Sequence, residues 1–318
     1  MATLSHEAFR RLIARFGGCD EYFTEMINAP SLLNAGPWEK FYLMAGPEPQ
    51  KIVWQLTGND AHKMGEAAKI LASLDGIGID INMGCSAPQI AKTGAGIAWM
   101  LKDIRETERM VRLVKKSIED CGSKKRLSVK LRLGSADFSR ERLFDFCKML
   151  LENGVQMLTL HPRTQKQKFR EKADWTAVED LAHQFPKIPV ILNGDVTDVR
   201  SFQNALLTAP SCAGVMIARA AAQKPWIFAE LSGTLQNTKI DMEALALSFI
   251  DDVETFQPEE FWKTRLQRFF AYFCTNFSFA HYFQTLMLNA RNNDDARNRI
   301  KFYFFFRCPS DKIKLFGN

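Results

Sequence analysis

The sequence predicts an α/β protein, a (β/α)8 TIM barrel followed by a C-terminal all-α helical domain. Two observations lead to this fold class. Up to about residue 230, short β-rich runs alternate with amphipathic helical stretches, and beyond that point the β-rich runs stop. Repeated βα units with right-handed crossovers form a parallel sheet, and seven or eight in succession favour a barrel. We expect the barrel over residues 1–235 and the helical domain over residues 236–318.

Each predicted strand is a short run rich in aliphatic, β-branched or aromatic residues. In chain order, the strands are expected at residues 21–27, 52–57, 79–84, 127–134, 155–163, 189–195 and 214–220. A helical pattern follows each of them. Residues 61–74 and 106–120 show the clearest spacing of apolar residues by three and four positions. The strands and helices therefore alternate as a barrel requires.

The N-terminus departs from the barrel pattern. The chain opens on a helical pattern over residues 5–17, whereas a barrel normally begins with a strand. Only Met1 and Ala2 could be the end of such a strand. We therefore expect the first strand to be missing, which leaves two exposed sheet edges, and we hypothesise that the natural polypeptide starts upstream.

Composition narrows the class of protein. Hydrophobic residues make up 46% of the 318 residues and charged residues 25%, which excludes a largely disordered chain. No run of roughly 18 apolar residues exists and the N-terminus lacks a secretory apolar core, so we expect a cytoplasmic protein without a membrane span. The seven cysteines are scattered singly, which favours free thiols in a reducing compartment and no metal site.

The net charge of +6 is unevenly distributed along the chain. Residues 261–318 hold ten Lys and Arg against three Asp, a net charge of +7, and residues 1–260 therefore carry −1. A helix over residues 261–277 would place Arg265, Arg268 and Tyr272 on one face. This segment is expected to bind a polyanion, with Phe269, Phe270, Phe273, Phe277 and the aromatic run at residues 302–306 in the core.

Polar side chains crowd the ends of the predicted strands. The carboxyl ends of barrel strands meet at one rim, where barrel enzymes place their active sites. Singly, each residue has another interpretation; Cys85 could be a small buried hydrophobe and His161 a core histidine. The residues at this rim are Gln55, Asn82, Gly84, Cys85, Lys130, Arg132, His161, Arg163, Asn193, Gly194, Asp195, Ala218 and Arg219.

Ordered motifs along the chain resemble those of tRNA-dihydrouridine synthases. Residues 80–100, DINMGCSAPQIAKTGAGIAWM, are similar to the family's N-x-G-C-P core and the glycine-rich stretch that follows it. Ser86 stands in place of the usual Pro, and Ala218 stands where Gly is common. The motifs WQLTG, SVKLRLG, LHPRT, NGDV and GVMIARAAAQKPWIF complete the resemblance over roughly residues 1–230. It implies an FMN-binding barrel, NADPH as reductant and tRNA as the partner.

The resemblance also implies roles for individual residues. Cys85 would be the general acid. The residues implied to bind FMN are Gln55, Lys130 and His161 at the flavin ring and ribityl chain, Asn193, Gly194 and Asp195 at the FMN tail, and Ala218 and Arg219 at its phosphate. Those expected to contact RNA are Asn82, Arg163, Arg265 and Arg268. No metal is implied.

The implied reaction reduces the 5,6 double bond of uridine. Flavin N5 would deliver a hydride to C6, and Cys85 would deliver a proton to C5. A free thiol suits this role because it is mostly protonated at neutral pH. Two alternatives stay open: an FMN barrel that acts on a small pyrimidine, similar to dihydroorotate dehydrogenases, and a non-catalytic RNA-binding scaffold. The tRNA position, the choice of NADPH over NADH and any protein partners stay open as well.

Overall fold

A computed structural model of the protein describes residues 1–167 and 170–316. Eight strands in these ranges form one parallel sheet: β1 Tyr22–Phe23, β2 Ile27–Asn28, β3 Ile52–Thr57, β4 Gly78–Met83, β5 Arg126–Arg132, β6 Met157–His161, β7 Val190–Asn193 and β8 Gly214–Met216. Both β1 and β2 pair with β3, and each later strand up to β8 pairs with the next. The predicted barrel-like α/β fold is confirmed, as a curled sheet with helices around it.

The first strand position is split in two. The Thr24 hydroxyl accepts a hydrogen bond from the Gln55 N–H at 3.0 Å, and the Thr24 N–H donates to the Val53 carbonyl at 3.1 Å. A side chain thus replaces a backbone acceptor between β1 and β2, and the strand expected at 21–27 becomes two short pieces. Seven strand positions result, as predicted. Within the described ranges nothing joins β8 to β1, so the sheet is open there.

Helices follow the strands as predicted. Those of the first 235 residues are α1 Glu7–Ala14, α2 Ala29–Leu33, α3 Glu39–Tyr42, α4 Ala61–Ser73, α5 Pro88–Ala91, α6 Ala98–Leu101, α7 Ile104–Asp120, α8 Arg140–Glu152, α9 Thr176–Gln184, α10 Val199–Thr208, α11 Arg219–Gln223 and α12 Ile227–Leu231. Asp60 and Asp103 cap α4 and α7 by accepting hydrogen bonds from backbone N–H groups. None of the helices that the structure describes is long and apolar enough to cross a membrane.

The C-terminal region is helical, with one exception. Its helices are α13 Met242–Phe256, α14 Glu259–Phe273, α15 Ala280–Leu288 and α16 Asn293–Phe302. Two short strands, β9 Lys239–Asp241 and β10 Ile313–Leu315, pair antiparallel and join the start of this region to its end. Local sequence patterns did not predict this ribbon, because its two strands lie more than 70 residues apart.

The C-terminal helices pack against the N-terminal helix. Phe9 of α1 lies 6.3 Å from Phe269 of α14 between ring centroids, and His6 stacks on Phe249 of α13. Phe269, Phe270 and Phe273 of α14 are buried, as predicted. Helix α1 is therefore packed on the C-terminal helices, and the domain boundary at residues 235/236 stays a prediction.

The aromatic run at residues 302–306 was predicted to be buried, and this is only partly right. Tyr303 and Phe304 are buried, whereas Phe302, Phe305 and Phe306 are 46%, 73% and 71% exposed. Consecutive residues of a helical turn point in different directions. Only one side of the run can therefore face the core.

Candidate active site

A cavity of about 1380 Å³ lies along the carboxyl ends of the strands. It extends to Cys19, Met157 and Ala213 near the amino ends, on the side where the sheet is open. The predicted site residues that line it are Gln55, Asn82, Cys85, Lys130, His161, Asn193, Gly194, Asp195, Ala218, Arg219 and Arg268. Arg163 and Arg265 do not line it. The structure thus brings eleven of the thirteen predicted site residues to one cavity.

The backbone at Cys85 forms a turn held by Asn82. The Asn82 Oδ1 accepts hydrogen bonds from the N–H groups of Gly84 and Cys85, at 3.2 and 2.9 Å. On the other side, the Cys85 carbonyl accepts from the Ile97 N–H at 3.0 Å. The thiol is half-buried and free. The end of β4 therefore presents Cys85 to the cavity in a fixed backbone conformation.

The glycine-rich stretch after Cys85 has a packing function. Gly96 has a φ of +60°, and a Cβ there would lie 2.5 Å from the Cys85 carbonyl oxygen. A real Cβ cannot come that close, so this position requires glycine. The stretch allows the following segment to close over the Cys85 turn.

Lys130 places a cation on the wall of the cavity. It lies on β5 opposite Asn82 of β4, and among the described residues its amine has no hydrogen-bond or ion-pair partner. Burial and the nearby Arg132 lower the pKa of Lys130 to about 8, while Asp80 and Cys85 partly oppose the shift. The ammonium is therefore suited to an anionic group in the cavity.

His161 is neutral and its tautomer follows from its neighbours. Asn193 donates through Nδ2 to the Met216 carbonyl at 2.8 Å, so its Oδ1, 3.2 Å away, accepts from the Nδ1–H of His161. Arg163 donates to the His161 Nε2 at 3.1 Å. Burial, reinforced by Lys130 and the arginines, lowers the pKa of His161 to about 3.

Arg163 was expected to contact RNA, and this role stays a prediction. Its side chain is 2% exposed and donates to the Glu171 carbonyl at 2.7 Å, to His161 and to Asp195 at 2.5 Å. Burial disfavours the Asp195 carboxylate, but Arg163, the Ala173 N–H and Arg219 outweigh it, and the pKa of Asp195 lies below its ordinary value. Arg163 therefore braces the ends of β6 and β7 from within.

The region expected to hold phosphate lies at the ends of β7 and β8. Gly194 has a φ of +127°, and its carbonyl accepts from the Trp175 Nε1–H at 3.0 Å. Ala218 has a negative φ of −124°, so the usual Gly is not needed there for a left-handed backbone. The Arg219 side chain lines the cavity and lies 3.4 Å from Asp195. The expected FMN-tail and phosphate residues thus adjoin one another, and their roles stay predictions.

Arg265 was also expected to contact RNA, and it too is buried. Its guanidinium pairs with Glu25 at 2.9 Å, with both side chains at most 6% exposed. The basic C-terminal segment is partly neutralised in the same way. The residues of this segment that form ion pairs are Arg265, Arg291, Arg297, Arg299 and Lys312. Arg268 is exposed, lines the cavity and has no ion pair with any described residue.

Sequence reasoning overlooked Asp80. This carboxylate is completely buried on β4 and accepts from Gln55 at 2.9 Å and Ser128 at 2.8 Å. Burial raises its pKa to about 6 against the effect of these two hydrogen bonds. A carboxylate within an otherwise apolar strand, two positions before Asn82, was the available signal.

The fold and the cavity define a class. The protein is one of the barrel-like α/β proteins that carry a polar site at the carboxyl ends of the strands. The cavity presents a thiol and an ammonium, and among the described residues no group of three or more His, Cys, Asp or Glu could hold a metal ion.

Comparison with known proteins specifies the family. The family model described as dihydrouridine synthase (Dus) matches residues 1–292, and the chain belongs to this family. A probable tRNA-dihydrouridine synthase of Aquifex aeolicus (strain VF5) is 33% identical over 232 residues, which cover 72% of this chain and 70% of that protein. Proteins with the same description from Rhodobacter capsulatus and Rhizobium leguminosarum bv. phaseoli are 32% and 31% identical, over 74% and 78% of this chain and 70% and 74% of theirs.

Proposed function

We propose that the protein is a tRNA-dihydrouridine synthase, an FMN- and NADPH-dependent oxidoreductase that reduces the 5,6 double bond of uridines in tRNA. One observation carries the proposal: the Cys85 thiol and the Lys130 ammonium, which has no hydrogen-bond or ion-pair partner among the described residues, line the same cavity at the ends of neighbouring strands. The relatives described as probable tRNA-dihydrouridine synthases support it.

The residues of the cavity fit FMN. Lys130 is a half-buried cation without a partner in the described part of the chain, as an anionic flavin edge requires. A Cβ at Gly194 would lie 3.3 Å from the Ala173 Cβ, so glycine allows the backbone of this part of the cavity wall to pack closely against Ala173. Arg219 would hold the phosphate, beside the Ala218 backbone. When bound and reduced by NADPH, FMN would supply the hydride for C6 of the base.

The protein's own residues supply the proton and the orientation. Cys85 donates a proton to C5, and Asn82 fixes the turn that presents the thiol. Lys130 balances the negative charge of the reduced cofactor. His161, which is neutral, donates no proton and keeps its place through Asn193.

The tRNA would be held at the cavity mouth. The target uridine must leave its stack to enter the cavity, at a cost of a few kcal/mol. Arg268 lines the cavity and lies 5.5 Å from the ring centre of Tyr272, which also lines it. A guanidinium beside an aromatic ring suits an unstacked nucleotide and its phosphate. In this proposal residues 236–318 form the tRNA-binding domain, and a tRNA substrate together with free cysteines fits a cytoplasmic protein.

The deciding experiment supplies FMN, NADPH and tRNA that lacks dihydrouridine, and measures dihydrouridine and NADPH oxidation. Cys85→Ala should lose about 10²–10⁴-fold in dihydrouridine formation and still oxidise NADPH. Cys121→Ala, which removes an exposed cysteine, is the matched control. Full tRNA reduction by Cys85→Ala would remove Cys85 from the acid role. Turnover of a free pyrimidine, or tRNA binding without NADPH oxidation, would favour one of the two alternatives.

A further inference from the structure

A chain of hydrogen bonds runs from the sheet interior to the Cys85 turn. It starts at Asp80, which accepts from Ser128 and from the Gln55 Nε2. The Gln55 Oε1 in turn accepts from the Asn82 Nδ2 at 3.0 Å. The Asn82 Oδ1 then accepts from the backbone N–H of Cys85 at 2.9 Å. No link in this chain exceeds 3.0 Å.

The strand register places the first three residues side by side. Gln55 of β3 lies opposite Asp80 of β4, and Asp80 lies opposite Ser128 of β5. Asp80 and Ser128 are completely buried, and Gln55 is 7% exposed. Water therefore has little access to Asp80 and Ser128, and either of them stays unsatisfied if it loses its partner.

Asp80 sets the donor-to-acceptor direction of this series of hydrogen bonds. An ionised carboxylate can only accept hydrogen bonds, so Gln55 must turn its NH₂ toward Asp80. The carbonyl end of Gln55 then faces the Asn82 NH₂, which leaves the Asn82 oxygen for the backbone N–H groups of the turn. If Asn82 were reversed, its NH₂ would meet the backbone N–H groups of the Cys85 turn. If Gln55 were reversed, its NH₂ would meet the Asn82 NH₂ and its oxygen would face the Asp80 carboxylate.

We propose that Asp80 is a positioning residue that fixes the orientation of the Gln55 and Asn82 amides and, through them, the conformation of the Cys85 turn. Asp80 does not line the cavity, so it acts on Cys85 only through its neighbours. Its importance for catalysis rests on the proposed function, whereas its effect on the turn does not.

The test measures the reactivity of Cys85 in the intact chain. Iodoacetamide labelling is followed peptide by peptide, and the rate at Cys85 is divided by the rate at the exposed Cys121. Asp80→Leu keeps the branched shape of the side chain without the acceptor and should raise this ratio about tenfold, because the turn loses its anchor. Ser128→Ala removes a hydrogen bond of Asp80 outside the chain to Cys85 and should change the ratio less than about twofold.

A double-mutant cycle separates positioning from general damage. If Asp80 acts through Gln55, then Asp80→Leu with Gln55→Leu should give the same ratio as the stronger single variant, because both break one chain. An unchanged ratio in Asp80→Leu, or effects of the two variants that multiply, would overturn the proposal. If Asp80→Leu does not fold, Asp80→Asn replaces it in the cycle. Asn can also turn its NH₂ to Gln55, so we expect a rise of about threefold, and no rise would overturn the proposal equally.

The labelling result is independent of the proposed function. A wild-type protein that forms no dihydrouridine would refute the proposed function and leave the labelling comparison intact. An active wild-type protein with unchanged labelling in the Asp80 and Gln55 variants would refute the positioning role alone.

Discussion

The guanidinium of Arg265 lies 2.9 Å from the carboxylate of Glu25, and both side chains are almost fully buried. The pair links the segment between β1 and β2 to α14, and Gln257 accepts a further hydrogen bond from Arg265 at 3.1 Å. Arg268, one turn further along the same helix, is exposed at the cavity. These two arginines of one helix therefore have different functions. Replacing Arg265 should change stability, whereas replacing Arg268 should change tRNA binding.

Replacement of Arg265 should destabilise the fold. Arg265→Met would leave the Glu25 carboxylate buried without its partner, at a cost of about 3–5 kcal/mol in the free energy of unfolding measured by urea denaturation. Adding Glu25→Leu should recover part of this loss, because no uncompensated charge remains. A loss below about 1 kcal/mol in Arg265→Met would show that the pair does not secure α14.

Replacement of Arg268 should affect tRNA binding instead. Arg268→Ala is expected to weaken tRNA affinity and to lower the slope of log affinity against log salt by about 1, with stability unchanged within about 0.5 kcal/mol. Lys69→Ala, at an exposed position on α4, is the control that removes the same charge. Equal tRNA affinity in both variants would mean that Arg268 is only a solvated surface residue.

Two glycines with similar backbones provide a matched pair. Gly96 and Gly122 have φ values of +60° and +63°, but a Cβ at Gly122 meets nothing within 4 Å. Gly122→Ala should therefore cost only the left-handed backbone strain, about 1–2 kcal/mol. Gly96→Ala adds the overlap with the Cys85 carbonyl, so it should cost more and also change the labelling rate of Cys85. If thermal and urea unfolding do not distinguish the two variants, the segment at Gly96 does not hold the Cys85 turn.

Lys130 should make the stability of the cofactor-free protein depend on pH. Its pKa falls from 10.5 to about 8 on folding because burial disfavours the ammonium. The unfolded chain therefore binds more protons between these values, and stability rises with pH across this window. Lys130→Met removes the burial cost, so its gain in melting temperature should be greatest below pH 8 and vanish toward pH 10.5.

A melting temperature that changes equally at all pH values in Lys130→Met would contradict a lowered pKa. Lys69→Met, at an exposed position, should show no such dependence. Relative to the wild type, the same Lys130 variant should lose more affinity for reduced flavin than for oxidised flavin, because the compensating cation is lost.

The order of elements and the composition of the site could be predicted from the sequence. Strand positions depend on apolar runs of short range, and the polar residues at the strand ends stand beside those runs. Parallel strands bring their carboxyl ends together whatever the details of packing. Cys85, Lys130 and His161 could therefore be assigned to one rim before any distance was known, and they adjoin one cavity.

Only the tertiary structure decided which charged groups are available to a ligand. Arg163, Arg265 and Arg268 are equally basic in the sequence, but the first two are buried against Asp195 and Glu25. Asp195 lies 32 positions from Arg163, and Glu25 lies 240 positions from Arg265. Whether a charge meets an opposite charge or solvent depends on such long-range contacts, which local patterns do not encode. The hydrogen bonds from Asp80 to Cys85 likewise exist only because the strand register places Gln55 of β3 opposite Asp80 of β4.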